Sequence, residues 1–337
     1  MDWFERLTGF REDGYEATRG RLQVRGRQLR SLINGRAFGI GAFETPSLQD
    51  LRDRAASTPW RPGRLTARNL TGDVRALHGA AANAGALFQV ASQFNMLEML
   101  SPDVTPEDGV TRYQDDHTQG PACAMAAGAA TIWRNYFAPA GSGAGQTAAR
   151  QLDGLSDIGD ALGLWLGRPA ESLWTMRNGY ALCEAEALSA IGGCLKGLDE
   201  VRLDALRALL RVGLHWDVQV TDGDGPDQPR VSQAFCSALP VAYSRVPPPL
   251  WAPFARLVLD AAYEATLCAA RLNADRGGSR RVLLTRLGGG AFGNDDAWID
   301  AALRRALRLF GDVDLEVVLV SHGAPPPSML AMEVEFA

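Results

Sequence analysis

The chain has 337 residues, 46% hydrophobic and 22% charged, a length and balance that bury a sizeable core and exclude a disordered chain. Its formal charge of -5 argues against a general nucleic-acid binder, because affinity for a phosphate backbone needs a basic surface. The N-terminus is charged, no apolar run is long enough to cross a bilayer, and five scattered cysteines form no C-x-x-C pair; a cytoplasmic protein with reduced thiols, no membrane partner, no metal and no cofactor is expected.

Residues 1–64 read as an N-terminal extension carrying a capped helix at 47–54 before the Pro59-Trp60-Arg61-Pro62-Gly63 break. Residues 65–337 read as one α/β domain with a less recognisable region at 138–277. Its first clear strand is 86–92, a short apolar run after Gly85, with Asn95 just past its carboxyl end. A polar, turn-rich segment follows over 101–120, and Pro121 stands where a helix over 122–137 begins. The small-residue run 138–145 is expected to be a mobile lid or linker leading into a helical middle region.

Two strands, 213–220 and 231–239, flank the acidic turn Asp222-Gly223-Asp224-Gly225-Pro226-Asp227. It resembles a calcium loop only superficially, because Gln233 stands where the closing glutamate of an EF-hand is required. A helix at 250–273, a strand at 281–286, a glycine loop, a helix at 295–310 and a strand at 315–321 complete a β-loop-α-β unit. This alternation implies a layered α/β fold whose ligand sits beyond the carboxyl ends of the strands.

Two stretches carry candidate chemistry. In Leu287-Gly288-Gly289-Gly290-Ala291-Phe292-Gly293-Asn294, bare amides between a strand and a helix suit an anion. The stretch matches G-x-G-x-x-G, but it lies too near the C-terminus to open a dinucleotide-binding fold. The second stretch runs through Asp108, Asp115, Asp116, His117, Gln119, Gly120, Pro121, Ala122 and Cys123. Its small residues let backbone approach a phosphate or ribose, and paired carboxylates suit a guanidinium. Asp108 equally fits a helix cap, as Asp115 and Asp116 fit a solvated turn. Cys123 as a nucleophile, or Asp115, Asp116 and His117 as a metal cluster, are weaker readings.

Together with Phe88-Gln89-Val90-Ala91-Ser92-Gln93-Phe94-Asn95-Met96-Leu97-Glu98-Met99, these stretches resemble a divergent macrodomain. More narrowly, they resemble the arginine-specific ADP-ribosyl hydrolases related to a Legionella effector acting on ADP-ribosylated ubiquitin. The resemblance covers roughly residues 65–137 and 278–325. It implies a three-layer mixed sheet flanked by helices, with ADP-ribose in a cleft at the sheet crest and an ADP-ribosylated protein as substrate. Carried over, Gly288, Gly289, Gly290, Ala291, Phe292, Gly293 and Asn294 form the diphosphate loop, and Gln119, Gly120, Ala122 and Cys123 the loop near the distal ribose. Asn95 is implied to lie near that ribose or the substrate arm, although Ser92-Gln93-Phe94-Asn95 replaces the family's usual Asn-Ala-Ala-Asn run. The catalytic positions implied are Asp108, Asp116 and Asp115. Hydrolysis would pass through a cation-like sugar, as in glycoside cleavage. A reader without catalysis, a metal-assisted nucleotide-phosphate hydrolase, and a protein that docks a partner through its middle region are the competing readings.

Overall fold

The computed structural model describes residues 1–59, 62–223 and 228–337. Seven strands share one sheet: Ala42–Glu44 (β1), Thr66–Thr71 (β2), Leu87–Ala91 (β3), Gly213–Gln219 (β4), Arg230–Cys236 (β5), Arg281–Leu284 (β6) and Glu316–Ser321 (β7). Their order is β1-β4-β5-β3-β6-β7-β2. The five strands from β5 to β2 run parallel, whereas β4 is antiparallel to both β5 and β1. The expected three-layer α/β mixed sheet is therefore present.

Parallel strands covered on both faces need apolar side chains in both directions, and β3 supplies them. Leu87 packs with the long helix Pro248–Asp275, while Phe88 and Val90 pack with Cys123, Ala127 and Ala130 on the other face. The N-terminal residues join this body: β1 forms the sheet edge, and the helix Leu48–Ser57 lies against Pro248–Asp275. That helix has the expected cap, since Ser47 Oγ accepts from the Asp50 amide at 3.1 Å and the Asp50 carboxylate accepts from the Ser47 amide at 2.9 Å.

Two expectations are corrected. The helix expected over 122–137 is two helices, Gln119–Ala126 and Gly128–Tyr136, broken at Ala127. Distant residues cause the break: the Gly128 amide donates to Thr221 Oγ1 at 2.8 Å, and a β-carbon at Gly128 would stand 2.7 Å from the Trp3 ring. The small-residue run is not a linker but a hairpin, Pro139–Ala140 paired with Gly143–Ala144, over which Arg150 folds to donate to the Gly145 carbonyl at 3.2 Å. Part of the 222–227 turn, and Trp60 and Arg61 of the Pro59–Gly63 break, lie outside the described residues; Asp222 itself binds Arg75 at 2.8 Å.

Candidate active site

A cleft of about 720 Å³ opens across the carboxyl ends of the parallel strands, where an open α/β sheet normally places its ligand. It is lined in turn by Gly72–Arg75 after β2, Ala91–Gln93 after β3, Ala238 and Tyr243 after β5, Thr285–Phe292 after β6, and Val320–His322 at β7. Asp116–Gln119, Pro121, Ala122, Glu98 and Tyr180 also line it.

The glycine loop is built to present amides. Gly288 and Gly293 have φ of 75° and 68°, a region that glycine enters without penalty. The loop closes on itself through the Asn294 amide to the Gly288 carbonyl at 2.9 Å, and Asn294 Nδ2 ties it to the Leu239 carbonyl at 2.8 Å. Among the described residues, the amides of Gly288, Gly290, Ala291 and Phe292 donate to no protein group. Across the cleft, the helix Gln119–Ala126 begins without a side-chain cap; Pro121 has no N–H and the Ala122 amide donates to the Thr118 carbonyl at 3.4 Å, which leaves the amides of Gln119 and Gly120 without an acceptor among the described residues. Two sets of unsatisfied donors bordering one cleft, the loop amides and the helix N-terminus, make an anion site.

Gln119 anchors that helix to the end of β3: its Oε1 accepts from the Ala91 amide at 2.8 Å and its Nε2 donates to the Gln89 carbonyl at 2.7 Å. The contact is so close that a β-carbon at Gly120 would lie 1.9 Å from the Ala91 carbonyl oxygen. Backbone stands on both sides of that collision. Gly120→Ala is therefore expected to lower stability by about 1–3 kcal/mol, read by urea denaturation; a wild-type midpoint would refute the close approach.

Glu98 is the residue that sequence reasoning missed. It lies on the cleft wall yet is only 1% exposed. The segment leading to it is held in an unusual shape. Met96 has φ 62°, sustained because its carbonyl accepts from Arg134 Nε at 2.6 Å and its amide donates to the Gln93 carbonyl at 2.9 Å. Gln93 also accepts from the Met99 amide at 2.6 Å, and Tyr113 Oη accepts from the Glu98 amide at 3.1 Å. Arg134, fully buried, places Nη2 at 3.2 and 3.0 Å from the two Glu98 oxygens, with its guanidinium 3.7 Å from the Phe235 ring centroid. Burial pushes the Glu98 carboxyl up to about 7, against the opposing pull of Arg134. The sequence signal was a single acid inside an apolar run.

The other candidates separate. Asp116, partly exposed, lines the cleft and accepts from the Thr118 amide at 2.8 Å. Asp115 and Asp108 are exposed and off the cleft wall. Asp108 caps a short 3-10 turn, accepting from the Thr105 amide at 2.8 Å, which is the capping role its sequence context allowed. Asn95 is buried behind the wall, donating to Gln151 at 2.8 Å and accepting from the Leu97 amide at 3.1 Å. Gly120, Cys123, Gly293 and Asn294 support the wall without lining it. Cys123 is fully buried and off the cleft wall, and burial raises its thiol well above its ordinary value, which disfavours a thiolate nucleophile there.

At one end Phe292, Tyr180 and Tyr243 pack mutually, with ring centroids 5.0–5.6 Å apart. Arg286, beside the glycine loop, is held by Asp300 at 2.5 Å and Asp296 at 2.6 Å. His117 and His322 also reach the cleft, whereas His78 and His215 are buried.

No protein-family model and no curated protein matches the chain. Among solved structures, it is similar to poly(ADP-ribose) glycohydrolase from Thermomonospora curvata bound to the inhibitor ADP-HPD, at 14% identity over 95% of each chain with a TM-score of 0.43. It is also similar to poly(ADP-ribose) glycohydrolase from Deinococcus radiodurans in complex with ADP-ribose, at 14% identity over 97% of this chain and 99% of that one, with a TM-score of 0.45. Likeness at this level assigns no activity by itself.

Proposed function

We propose that the cleft binds ADP-ribose and that the protein hydrolyses the bond between its terminal ribose and a protein side chain, with arginine the preferred attachment. The observation that carries this reading is one cleft holding both an anion cradle and the carboxylates of Asp116 and Glu98. The free amides of the 288–292 loop and the open helix start at Gln119 suit a diphosphate, and Asp116 and Glu98 lie on the same wall system. Asp73, also on the cleft lining, caps the short helix Val74–Gly79 with one carboxylate oxygen accepting from the Arg75 amide at 2.9 Å, and its second oxygen is an acceptor for the amino group of a purine.

The chemistry follows from charge. An arginine-linked guanidinium is already cationic, so when the ribose C1–N bond breaks, its electron pair leaves with the nitrogen as neutral guanidine and no acid has to protonate the leaving group first. Asp116 orients the guanidinium before cleavage. The carboxylate of Glu98 stabilises the cation left on the sugar and takes a proton from the water that attacks C1. That proton passes to the departing guanidine, which returns to its cationic form.

The test is release of free ADP-ribose from an arginine-ADP-ribosylated protein, run beside serine- and glutamate-linked substrates. Asp116→Ala is expected to reduce turnover by about a hundredfold or more with ADP-ribose affinity nearly unchanged, because free ADP-ribose carries no guanidinium. Wild-type turnover by that variant would remove Asp116 from the mechanism. Tight ADP-ribose binding without release from any substrate would leave a reader module, and release from serine-linked substrate alone would overturn the arginine preference.

A further inference from the structure

The net charge of -5 conceals a strong segregation. Residues 17–43 contain Arg19, Arg21, Arg25, Arg27, Arg30 and Arg36 and no acidic residue, a local charge of +6, which leaves -11 on the rest. Residues 22–39 of this segment fold as a three-stranded antiparallel sheet, Leu22–Arg25, Gln28–Ser31 and Ala37–Gly39. Leu22 and Leu29 face inward among the core residues packed with the helix Gly128–Tyr136.

The register pairs Gln23 with Arg30 and Arg25 with Gln28, so Arg25 and Arg30 stand diagonally on the outer face, flanked by two amides. Arg25, Arg27, Arg30 and Arg36 are exposed, and none of them forms an ion pair among the described residues. Arg36 lies 4.9 Å over the Phe38 ring and donates to the Arg6 carbonyl at 2.9 Å, which leaves its charge uncompensated.

Between the second and third strands the chain presents Leu32 and Ile33, 53% and 55% exposed. Their backbone is fixed. Ser31 Oγ donates to the Thr8 carbonyl at 2.6 Å and accepts from the Ile33 amide at 3.1 Å. Asn34 donates to the Leu7 carbonyl at 3.1 Å and accepts from the Arg36 amide at 3.0 Å. Arg30 and Arg36 flank this apolar tip in the chain, whereas Arg25 and Arg27 stand at the opposite end of the first hairpin; the backbone that presents them is already ordered, which lowers the cost of meeting a partner.

Against the expectation of no membrane partner, we infer that this sheet docks the protein on an anionic lipid surface, with Leu32 and Ile33 entering the headgroup region and the arginines against the lipid charges. A phosphate backbone would satisfy the arginines but leave the apolar pair in water, whereas an anionic bilayer interface satisfies both. The inference is independent of what the cleft does.

Co-sedimentation of the full chain tests it, with vesicles of phosphatidylcholine alone and of phosphatidylcholine with roughly 30% phosphatidylserine. Binding is expected only to the second, weakening as salt rises. At about 1 kcal/mol per basic residue, Arg25→Gln with Arg30→Gln should weaken binding about thirtyfold. Leu32→Ser with Ile33→Ser should weaken it while preserving the salt dependence. All variants should keep the wild-type thermal transition, since these side chains are exposed. No binding to the anionic vesicles at low salt overturns the inference, as does wild-type binding by both variants. Binding to an oligonucleotide or an acidic protein with none to vesicles overturns it as well.

Discussion

Glu98→Gln is expected to lower ADP-ribose release by about 10²–10⁴-fold while changing ADP-ribose affinity only a few-fold. The amide fills the same space in the cleft wall but can neither accept a proton from water nor offset a cationic sugar. The pH profile gives a second readout. Burial raises the Glu98 carboxyl from 4.5 to about 7, and the proposed role needs its ionised form, so the rate should climb as pH rises through about 7 and level off above it. In Glu98→Gln that limb should vanish from the residual rate. The same shift carries a stability sign. The folded protein holds the Glu98 proton more tightly than the unfolded chain, so this group's contribution is full below about 4.5 and is lost as pH rises through about 7. A rate that falls through pH 7 instead would make Glu98 an acid and refute its assignment as the base.

The second large effect concerns Arg134. Arg134→Met should cost about 3–5 kcal/mol in urea denaturation, because removing one member of a buried pair leaves the other uncompensated. Three contacts disappear together: the Glu98 carboxylate, the Met96 carbonyl and the face of Phe235. Adding Glu98→Leu to that variant should recover part of the loss, since an apolar pair of similar volume needs no counter-charge. Arg134 acts as a positioning residue, and a purely structural part would leave the pH profile where it is. In a variant stable enough to assay, such as Arg134→Lys, weaker pairing should move the activity limb to higher pH. A cost below about 1 kcal/mol for Arg134→Met would mean that water already reaches the pair.

How the chain itself encodes this protein differs by feature. Local signals were sufficient where the physics is local. The apolar run of β3, the capping pair Ser47 and Asp50, and the β-loop-α-β order of 281–321 depend on neighbours a few residues apart, and the structure contains them. The glycine run likewise announces a backbone that must bend and stay bare, and Gly288 to Phe292 do line the cleft. What the tertiary structure decided depends on partners far away in the chain. Thr221 and Trp3 break the helix at Ala127, a contact invisible in the alanine-rich stretch that it interrupts. Arg134, 36 residues beyond Glu98, holds that carboxylate at the cleft wall, whereas the conspicuous aspartates at 108 and 115 are exposed and off that wall. A carboxylate's value in a site is set by burial and by the charge beside it, and both are properties of the folded arrangement. The residue types and local periods determined the layers and the loop, and packing alone determined which acid faces the ligand.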